Sequence, residues 1–273
     1  MSSRVSIFAV ALVATALVAA PAQADSIRFE PVDAAICKKF NEKGTDASET
    51  HKLDPNKKHK FNAGDGNDKL FGGKKDDILN GGRGDDVVHG GGGNDVVCGG
   101  IDNDKVFGDE GRDRVFGEED NDALDGGPGN DSLNGQAGLD RLFGFGKENG
   151  EIVDDGEDVL DGSFEADVIV AGGFDVLIGG AENDELSSRT PDIGVEMMDG
   201  GIGNDTITGS DADDKLLFGD IGEDLIRGGG GNDILDGGGS DDDLSGGADD
   251  DDCNGGDGKD VADDTCERVS NVP

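Results

Sequence analysis

A nine-residue unit, repeated back to back, dominates this chain from Ala63 onward. Two adjacent copies, GGRGDDVVH and GGGGNDVVC, occupy Gly81–Cys98, and each reads G-G-x-G-x-D-x-U-x with U apolar. A unit this short cannot bury its single apolar residue alone, so neighbouring units must stack to build a core. The repeat therefore predicts one continuous, all-β array rather than several globular domains.

The phase of the repeat holds through Phe143 and is then disturbed at four places. The unit over 144–152 is degenerate, with an asparagine in the aspartate position and a glutamate in the apolar one. One residue is missing near Asp175, Ser188–Asp199 is expected to be an insertion, and one residue is added near Leu217. Since the phase returns after each disturbance, we expect a single array that is locally pinched.

Each class of residue in the unit has a physical role. Glycines at the first, second and fourth positions tolerate positive φ and leave backbone carbonyl oxygens uncovered, as tight turns require. The aspartate at the sixth position adds a carboxylate to that turn. The last three residues favour a short strand whose middle side chain points inward. Turns that offer both carbonyl and carboxylate oxygens match the ligands that Ca²⁺ prefers.

If two units form one turn of a coil, residues eighteen positions apart stack at the spacing of neighbouring strands, about 4.8 Å. One inner face would then be lined by Leu70, Val88, Val106, Leu124, Leu142 and Leu160. The other would be lined by Leu79, Val97, Val115, Leu133 and Ile169, with Glu151 as a defect.

The aspartates should form two ladders with the same spacing. One ladder is expected to contain Asp68, Asp86, Asp104, Asp122, Asp140 and Asp158. The other is expected to contain Asp77, Asp95, Asp113, Asp131 and Asp167. Carboxylates this close repel strongly unless cations lie between successive rungs, which would make metal binding and folding one event.

The composition supports this dependence on cations. The chain holds 63 acidic against 23 basic residues, a formal net charge of -40, and only 33% hydrophobic residues. Alone it should be disordered, because too little apolar surface is available to offset chain entropy and self-repulsion. A divalent ion in each of about twenty repeats would supply roughly forty positive charges. The same acidity argues against nucleic acid as a partner, which requires a basic face.

Over roughly 200 residues the repeats resemble the hemolysin-type calcium-binding repeat family, also called RTX nonapeptide repeats. The resemblance implies a parallel β-roll, a β-solenoid with two repeats per turn that holds Ca²⁺ between its glycine-rich turns. It also implies that the repeat aspartates are calcium ligands, namely Asp68, Asp77, Asp86, Asp95, Asp104, Asp113, Asp122, Asp131, Asp140, Asp158, Asp167, Asp184, Asp205, Asp214, Asp224, Asp233, Asp242, Asp251 and Asp260. The match is weaker at Lys74–Lys75, Glu118–Glu119 and Asp249–Asp252, where we expect weak or empty sites.

The segments outside the array have compositions of their own. Met1–Ala24 combines Arg4, an apolar run and an Ala-Gln-Ala site, which predicts a cleaved secretory signal peptide and an extracellular protein. No later apolar run is long enough to span a bilayer. The expected organisation is 1–24 signal peptide, 25–62 N-terminal cap, 63–263 β-roll with irregular stretches near 144–153 and 188–199, and 264–273 C-terminal tail.

The segment over 25–62 carries eight basic and seven acidic residues, unlike the acidic array. A cap for the end of the stack is the interpretation we favour, since repeat arrays need polar ends. The alternative is a basic patch that grips an anionic polymer at a cell surface.

Four cysteines in an exported chain predict two disulfides, and three pairings are possible. Cys253 and Cys266 bracket the C-terminal end, so we expect them to staple the last turn. Cys37 and Cys98 would then fasten the N-terminal segment to an early repeat. The spacings contain no zinc-type C-x-x-C pair.

The sequence pattern gives no Ser, Cys or Lys nucleophile a His partner, so we expect no enzyme. The three histidines are scattered, and His89 is expected at the surface. Phe71, Phe107 and Phe143 each take the ninth position, thirty-six residues apart, and should share one face. They would either cover the edge of a sheet or present an aromatic stripe to a partner.

These features predict an exported, non-enzymatic calcium-binding protein that folds when it meets extracellular calcium. Extracellular calcium modules bind with Kd of about 10⁻⁴–10⁻³ M, so cytosolic calcium would leave the chain unfolded and exportable. Two alternatives stay open. One is a surface adhesin or matrix protein that uses the roll as a spacer and binds cells or polysaccharide through Lys52–Lys60. The other is a fragment or accessory of a secreted hydrolase.

Overall fold

The computed structural model describes residues 34–38, 40–148, 151–153, 156–190 and 192–272. The predicted signal peptide, Met1–Ala24, lies outside the described residues. Within them the chain is almost entirely β-structure, with one 3-10 helix at Ala34–Lys38. The strands in chain order are β1 Glu42–Lys43, β2 Thr50–Lys52, β3 Lys60–Asp65, β4 Lys69–Phe71, β5 Ile78–Arg83, β6 Val87–Gly92, β7 Val96–Ile101, β8 Lys105–Glu110, β9 Arg114–Glu119, β10 Ala123–Asp125, β11 Ser132–Ala137, β12 Arg141–Phe143, β13 Gly146–Glu148, β14 Glu151–Val153, β15 Val159–Phe164, β16 Val168–Ala171, β17 Val176–Ala181, β18 Glu185–Ser188, β19 Met197–Ile202, β20 Thr206–Thr208, β21 Leu217–Ile221, β22 Leu225–Gly230, β23 Ile234–Gly239, β24 Asp243–Ala248, β25 Asp252–Asp257, β26 Val261–Ala262 and β27 Arg268–Ser270.

These strands wind into a parallel solenoid with two sheets. The first sheet has 13 strands, in the order β1-β3-β5-β7-β9-β11-β15-β17-β19-β21-β23-β25-β27. The second has 12 strands, in the order β2-β4-β6-β8-β10-β12-β16-β18-β20-β22-β24-β26. Over most of the array, partners are eighteen residues apart, as in Leu70 against Val88 and Leu79 against Val97. The predicted all-β fold is confirmed, and it is consistent with a β-roll.

One column of apolar side chains from each sheet fills the interior. The eighth residue of each unit points inward, so Leu70 and Val88 of the second sheet and Leu79 and Val97 of the first are 0% exposed. This follows from the alternation of side chains along a strand, which turns the seventh and ninth residues away from the core. Each unit therefore contributes a single core residue, and the core is thin.

The degenerate unit changes which sheet the later repeats join. Leu160 pairs with Leu133 in the first sheet, and Ile169 pairs with Leu142 in the second. The expected placement of Leu160 and Ile169 is therefore wrong, because each lies on the inner face assigned to the other. The cause is the extra unit, which leaves the coil as the antiparallel pair β13-β14 instead of forming a rung. Glu151 lies in β14, which belongs to neither sheet of the solenoid.

The insertion expected over Ser188–Asp199 is shorter than predicted. Met198 of β19 is 0% exposed and occupies a core position, paired with Leu177 on one side and Leu217 on the other. Because β18 ends at Ser188 and β19 begins at Met197, the insertion lies between these two strands. The pattern missed Met198 because no aspartate stands two residues before it.

Disulfides fasten the solenoid near both ends. Cys37 in the 3-10 helix is bonded to Cys98 of β7, and Cys253 of β25 is bonded to Cys266. Both expected pairs are confirmed. Cys253 takes a core position of the repeat, so the second bridge starts from inside the roll. Strands β1 and β2 extend the two sheets into the segment that precedes the repeats.

A row of aromatic residues lies on the outer side of the second sheet. Phe71, His89 and Phe107 are direct neighbours in it, and Phe143 follows two strands later, so the phenylalanines share one face as expected. The His89 ring lies parallel between the other two, with centroids 5.1 Å from Phe71 and 4.5 Å from Phe107. His89 is therefore not a simple surface residue: its side chain is 28% exposed, and Nδ1 lies 3.1 Å from Asp109 Oδ2. The rings face one another, which favours a covering role.

Candidate metal centres along the two edges

The repeat aspartates line the two edges at which the chain passes between sheets. The first edge holds the turns that lead from the first sheet to the second, and the second edge holds the return turns. On the first edge lie Asp68, Asp86, Asp104, Asp122, Asp140, Asp167, Asp184, Asp205, Asp224, Asp242 and Asp260. On the second edge lie Asp77, Asp95, Asp113, Asp131, Asp158, Asp175, Asp214, Asp233 and Asp251. All of these side chains are buried.

We call each aspartate position along an edge, or the residue that takes its place, a rung, and several rungs of the second edge differ from expectation. Asp158 lies on it and Asp167 on the first edge, the reverse of the predicted ladders, because the extruded unit shifts the alternation. Asp175 is a rung that sequence reasoning missed, since its turn is one residue short; the available signal was an aspartate two residues before a buried strand position. Val195 occupies the next rung without a carboxylate, and its N–H donates to Asp214 Oδ1 at 2.8 Å.

One carboxylate oxygen of each aspartate holds the neighbouring rung in place. The N–H of Asp86 donates to Oδ1 of Asp104 at 2.8 Å, and the N–H of Asp104 donates to Oδ1 of Asp122 at 2.8 Å. The second edge repeats this pattern, with Asp95 donating to Asp113 at 2.7 Å. Hydrogen bonds to a charged acceptor are roughly twice as strong as neutral ones. The ladder therefore fixes the orientation of every carboxylate that takes part in it.

The other oxygen, Oδ2, is buried at most rungs and finds no hydrogen-bond partner among the described residues. This holds for Asp68, Asp86, Asp95, Asp104, Asp113, Asp122, Asp140, Asp167, Asp184, Asp205, Asp224, Asp233, Asp242, Asp251 and Asp260. Leaving a buried polar atom unsatisfied costs about 1–3 kcal/mol, and more for a charged group. A regular series of such oxygens indicates a partner supplied from outside the chain.

Glycine at the first position of most turns leaves room for that partner, whereas Ala63 takes this position before Asp68. A methyl group on Gly99 would stand 2.5 Å from Oδ2 of Asp104 and 2.9 Å from the carbonyl oxygen of Gly117. On the second edge, a methyl group on Gly90 would stand 2.5 Å from the carbonyl oxygen of Gly108 and 2.8 Å from Oδ2 of that turn's aspartate. A carboxylate oxygen and a carbonyl oxygen of the next turn thus face the same small space. This donor set suits a hard cation that binds only oxygen.

A comparison with family models identifies these turns. The model for RTX calcium-binding nonapeptide repeats matches residues 62–97, 99–133, 116–144, 152–186, 192–220, 218–252 and 227–262, which is more than half of the chain. The chain belongs to the RTX calcium-binding repeat family. No curated protein matches it. Calcium binding by RTX repeats agrees with the all-oxygen donor set of the turns.

Burial raises the pKa of many RTX aspartates. The pKa of Asp104 is raised to about 9, and those of Asp113, Asp122 and Asp167 to about 8, with desolvation as the largest cause. The hydrogen bond from the preceding rung lowers each value, and the charges of nearby acidic residues raise it. A divalent cation beside these carboxylates would offset both the desolvation and the repulsion, and its binding would release protons.

The side chains of the RTX turns do not form a complete metal site by themselves. Within the described part of the chain, no three His, Cys, Asp or Glu side chains gather around one point. Each rung supplies one carboxylate, so the remaining ligands have to be backbone carbonyls, water or a carboxylate from another turn. A ligand set of oxygen without sulfur or imidazole suits Ca²⁺ and not Zn²⁺.

Proposed function

We propose that this protein is a secreted calcium-binding protein whose repeats bind multiple Ca²⁺ ions and fold into the β-roll after export. The observation that carries the proposal is the repeated pairing of a buried, unsatisfied Oδ2 with a carbonyl oxygen beside a first-position glycine, as at Asp104 and Gly117. Because the pairing recurs along both edges, many ions would bind one chain. Each would lie among aspartates that otherwise repel one another.

Calcium binding and folding would be a single event in this protein. The chain carries a formal net charge of -40, and its core receives one apolar residue per unit, so apolar burial alone is a weak driving force. Ions bound between rungs neutralise the carboxylates and supply the missing free energy. At cytosolic calcium concentrations, far below a Kd of about 10⁻⁴–10⁻³ M, the chain stays unfolded and can be exported.

Export is supported by two features. Met1–Ala24 has the pattern of a cleaved signal peptide. Disulfides such as Cys37–Cys98 form in oxidising compartments outside the cytosol. In the part of the chain that the structure describes, no helix has the length and apolar character needed to cross a bilayer. The proposal includes no catalytic step, because the sequence pairs no nucleophile with a histidine.

The test is to count ions while folding is followed. The mature chain, beginning at Asp25, is dialysed against calcium or against EGTA; circular dichroism and atomic emission then report structure and bound metal. We expect a disordered spectrum in EGTA and a β-spectrum with many ions per chain in calcium, and Mg²⁺ at equal concentration serves as the control. Ordered β-structure in EGTA at neutral pH, or a chain that is folded at neutral pH without bound calcium, would refute the proposal.

A second candidate is a calcium-dependent adhesin or matrix protein that uses the roll as a spacer. The observation in its favour is a pair of exposed lysines near the N-terminal end of the roll, Lys57 and Lys58, whose side chains are 71% and 65% exposed and form ion pairs with Asp54 and Asp76. A cleft of about 430 Å³ lies beside them, and its lining mixes basic residues such as Lys58 with acidic residues such as Asp76. An anionic polysaccharide of a cell surface would be the ligand.

Replacing Lys57 and Lys58 by glutamine tests this candidate, with Lys259→Gln near the other end of the chain as the matched control. The adhesin role predicts that only the paired N-terminal change weakens retention on an anionic polysaccharide column in calcium. Equal retention of both variants would exclude this surface.

A further inference from the structure

The turns at the two edges have two conformations, and only one of them leaves the carboxylate open. In what we name open turns, the second residue of the repeat has a positive φ, such as 102° at Gly91 and 112° at Gly229. Oδ2 of the aspartate four residues later then finds no partner in the described chain, as at Asp95 and Asp233. The two features occur together at every aspartate named above for an unsatisfied Oδ2.

Two turns of the second edge have the other conformation, which we name closed. The N–H of Gly73 donates to Oδ2 of Asp77 at 2.9 Å, and the N–H of Ser210 donates to Oδ2 of Asp214 at 2.7 Å. Neither Gly73 nor Ser210 has a positive φ. In these turns the chain itself supplies a partner to the oxygen that an ion would otherwise bind.

A third closed turn precedes Asp175 and is one residue shorter than the others. There the N–H of Gly172 donates to Oδ2 of Asp175 at 3.0 Å. The next rung of this edge is Val195, which has no carboxylate, and the rung after it is Asp214. Three consecutive rungs of the second edge therefore offer no open carboxylate oxygen, whereas the first edge keeps one at every rung from Asp68 to Asp260.

The residue at the fourth position differs between the full-length closed turns and open turns on the same edge. In the open turns before Asp95 and Asp233 it is Gly93 or Gly231, with φ of 125° and 95°. In the full-length closed turns it is Lys75 or Ala212, and neither has a positive φ, because a Cβ makes that conformation costly.

Lost glycines do not always close a turn. Asp120 and Asp249 also replace glycine at the fourth position, yet they adopt φ of 76° and 79°. Glu165 and Glu182 take the same position with φ of 64° and 78°, so residue type alone does not decide the conformation of the turn. The turns of Asp120 and Asp249 are open, although weak or empty sites were expected there from the sequence.

We propose that calcium binds the open turns alone, and that the closed turns of Asp77, Asp175 and Asp214 carry no ion. This inference rests on the proposed function and says which turns perform it. The ions would form one unbroken ladder along the first edge from Asp86 to Asp260. On the second edge they would form two ladders, separated by a metal-free stretch from Asp175 through Val195 to Asp214. Hydrogen bonds within the protein replace the ions over that stretch.

Matched substitutions test the assignment by calcium counting. Asp214→Asn alters a closed turn, and Asp224→Asn alters an open turn one strand further along the chain. Equilibrium dialysis at saturating calcium should give the wild-type number of ions for Asp214→Asn and a smaller number for Asp224→Asn. An equal loss in both variants would overturn the proposal. A wild-type chain that binds no calcium would instead refute the proposed function itself.

A second measurement does not depend on how the variants fold. Crystals of the calcium-loaded wild-type protein, measured at a long X-ray wavelength, show each bound ion as an anomalous peak. We expect peaks beside Asp205, Asp224 and Asp233 and none beside Asp175 or Asp214. A peak in either closed turn would overturn the inference.

Discussion

Replacing single glycines by alanine should distinguish a glycine that borders a calcium site from a glycine of the same turn that does not. Gly90 and Gly92 lie in the same turn, two residues apart, and both can be changed to alanine. A methyl group on Gly90 would stand 2.5 Å from the carbonyl oxygen of Gly108 and 2.8 Å from Oδ2 of Asp95. A methyl group on Gly92 would meet nothing closer than 3.9 Å. Neither glycine has a positive φ, so the comparison isolates space from backbone strain.

The structure predicts that the two changes shift the free energy of unfolding in opposite directions. Gly90→Ala forces a methyl group against a backbone oxygen that the sheet holds in place, and overpacking of this kind costs about 1–3 kcal/mol. It also fills the space between the two oxygens, so the ion of that turn is lost as well. Gly92→Ala restricts the unfolded chain without a clash and should stabilise the protein by about 0.4–1 kcal/mol. The expected difference between the variants is therefore about 1.5–4 kcal/mol before the lost ion is counted.

Calcium titrations followed by circular dichroism measure the difference. Gly90→Ala should shift the folding midpoint to higher calcium and bind fewer ions at saturation, while Gly92→Ala should keep the wild-type count. Urea unfolding at saturating calcium then gives the free energy of unfolding for each variant. If Gly90→Ala kept both the midpoint and the ion count of the wild type, the cradle beside Gly90 would not be a calcium site.

Three further outcomes follow from the structure. Burial raises the pKa of the repeat aspartates, to about 9 at Asp104, so in calcium-depleted buffer the metal-free roll should be most stable below pH 4 and lose stability as the pH rises toward 9. Circular dichroism should then show less β-structure at higher pH. A signal independent of pH would contradict this. Replacing Cys253 and Cys266 by alanine should lower the unfolding free energy by about 3 kcal/mol, measured by urea denaturation, whereas an unchanged midpoint would contradict a stabilising bridge. Deleting Phe145–Val153, nine residues, should leave the bound-ion count unchanged, because the flanking chain already forms one turn; loss of folding would count against this.

The period of the repeat predicted the parts of the fold that depend on a single unit. Short strands, one inward residue such as Leu79, and two units per turn all follow from the nine-residue pattern and the alternation along a strand. The pattern could not predict which sheet Leu160 joins. The sheet that Leu160 joins depends on whether the degenerate unit over 144–152 forms a turn of the coil or leaves it. The nine-residue phase of the sequence after that unit is the same in either case. Met198 was missed for a related reason, since its turn lacks the aspartate that marks a unit.

For the metal sites, the sequence could locate the aspartates but not the state of their second oxygen. That state depends on the conformation of the turn, which two or three backbone angles decide. The turns that contain Lys75 and Ala212 are closed and the turn that contains Asp249 is open, although each of these residues replaces the fourth-position glycine of its unit. Asp175 lies in a shortened turn that a fixed period cannot register. Glu165 and Glu182 take the same position with positive φ, so residue type alone does not predict whether a turn is open or closed.

The two oxygens of each aspartate explain why this protein has no separate scaffold and binding site. Oδ1 of Asp104 accepts the N–H of Asp86, which joins two turns of the coil, while Oδ2 of the same group faces the space for an ion. A carboxylate that turned to bind an ion better would lose the neighbouring rung, and a missing ion would leave buried charge beside that rung. Stability should therefore pass from turn to turn along each edge, as in other stacked repeats. In the closed turns of Asp175 and Asp214, a backbone N–H of the protein takes the place of the ion. The dependence of each turn on calcium in its neighbours is interrupted there.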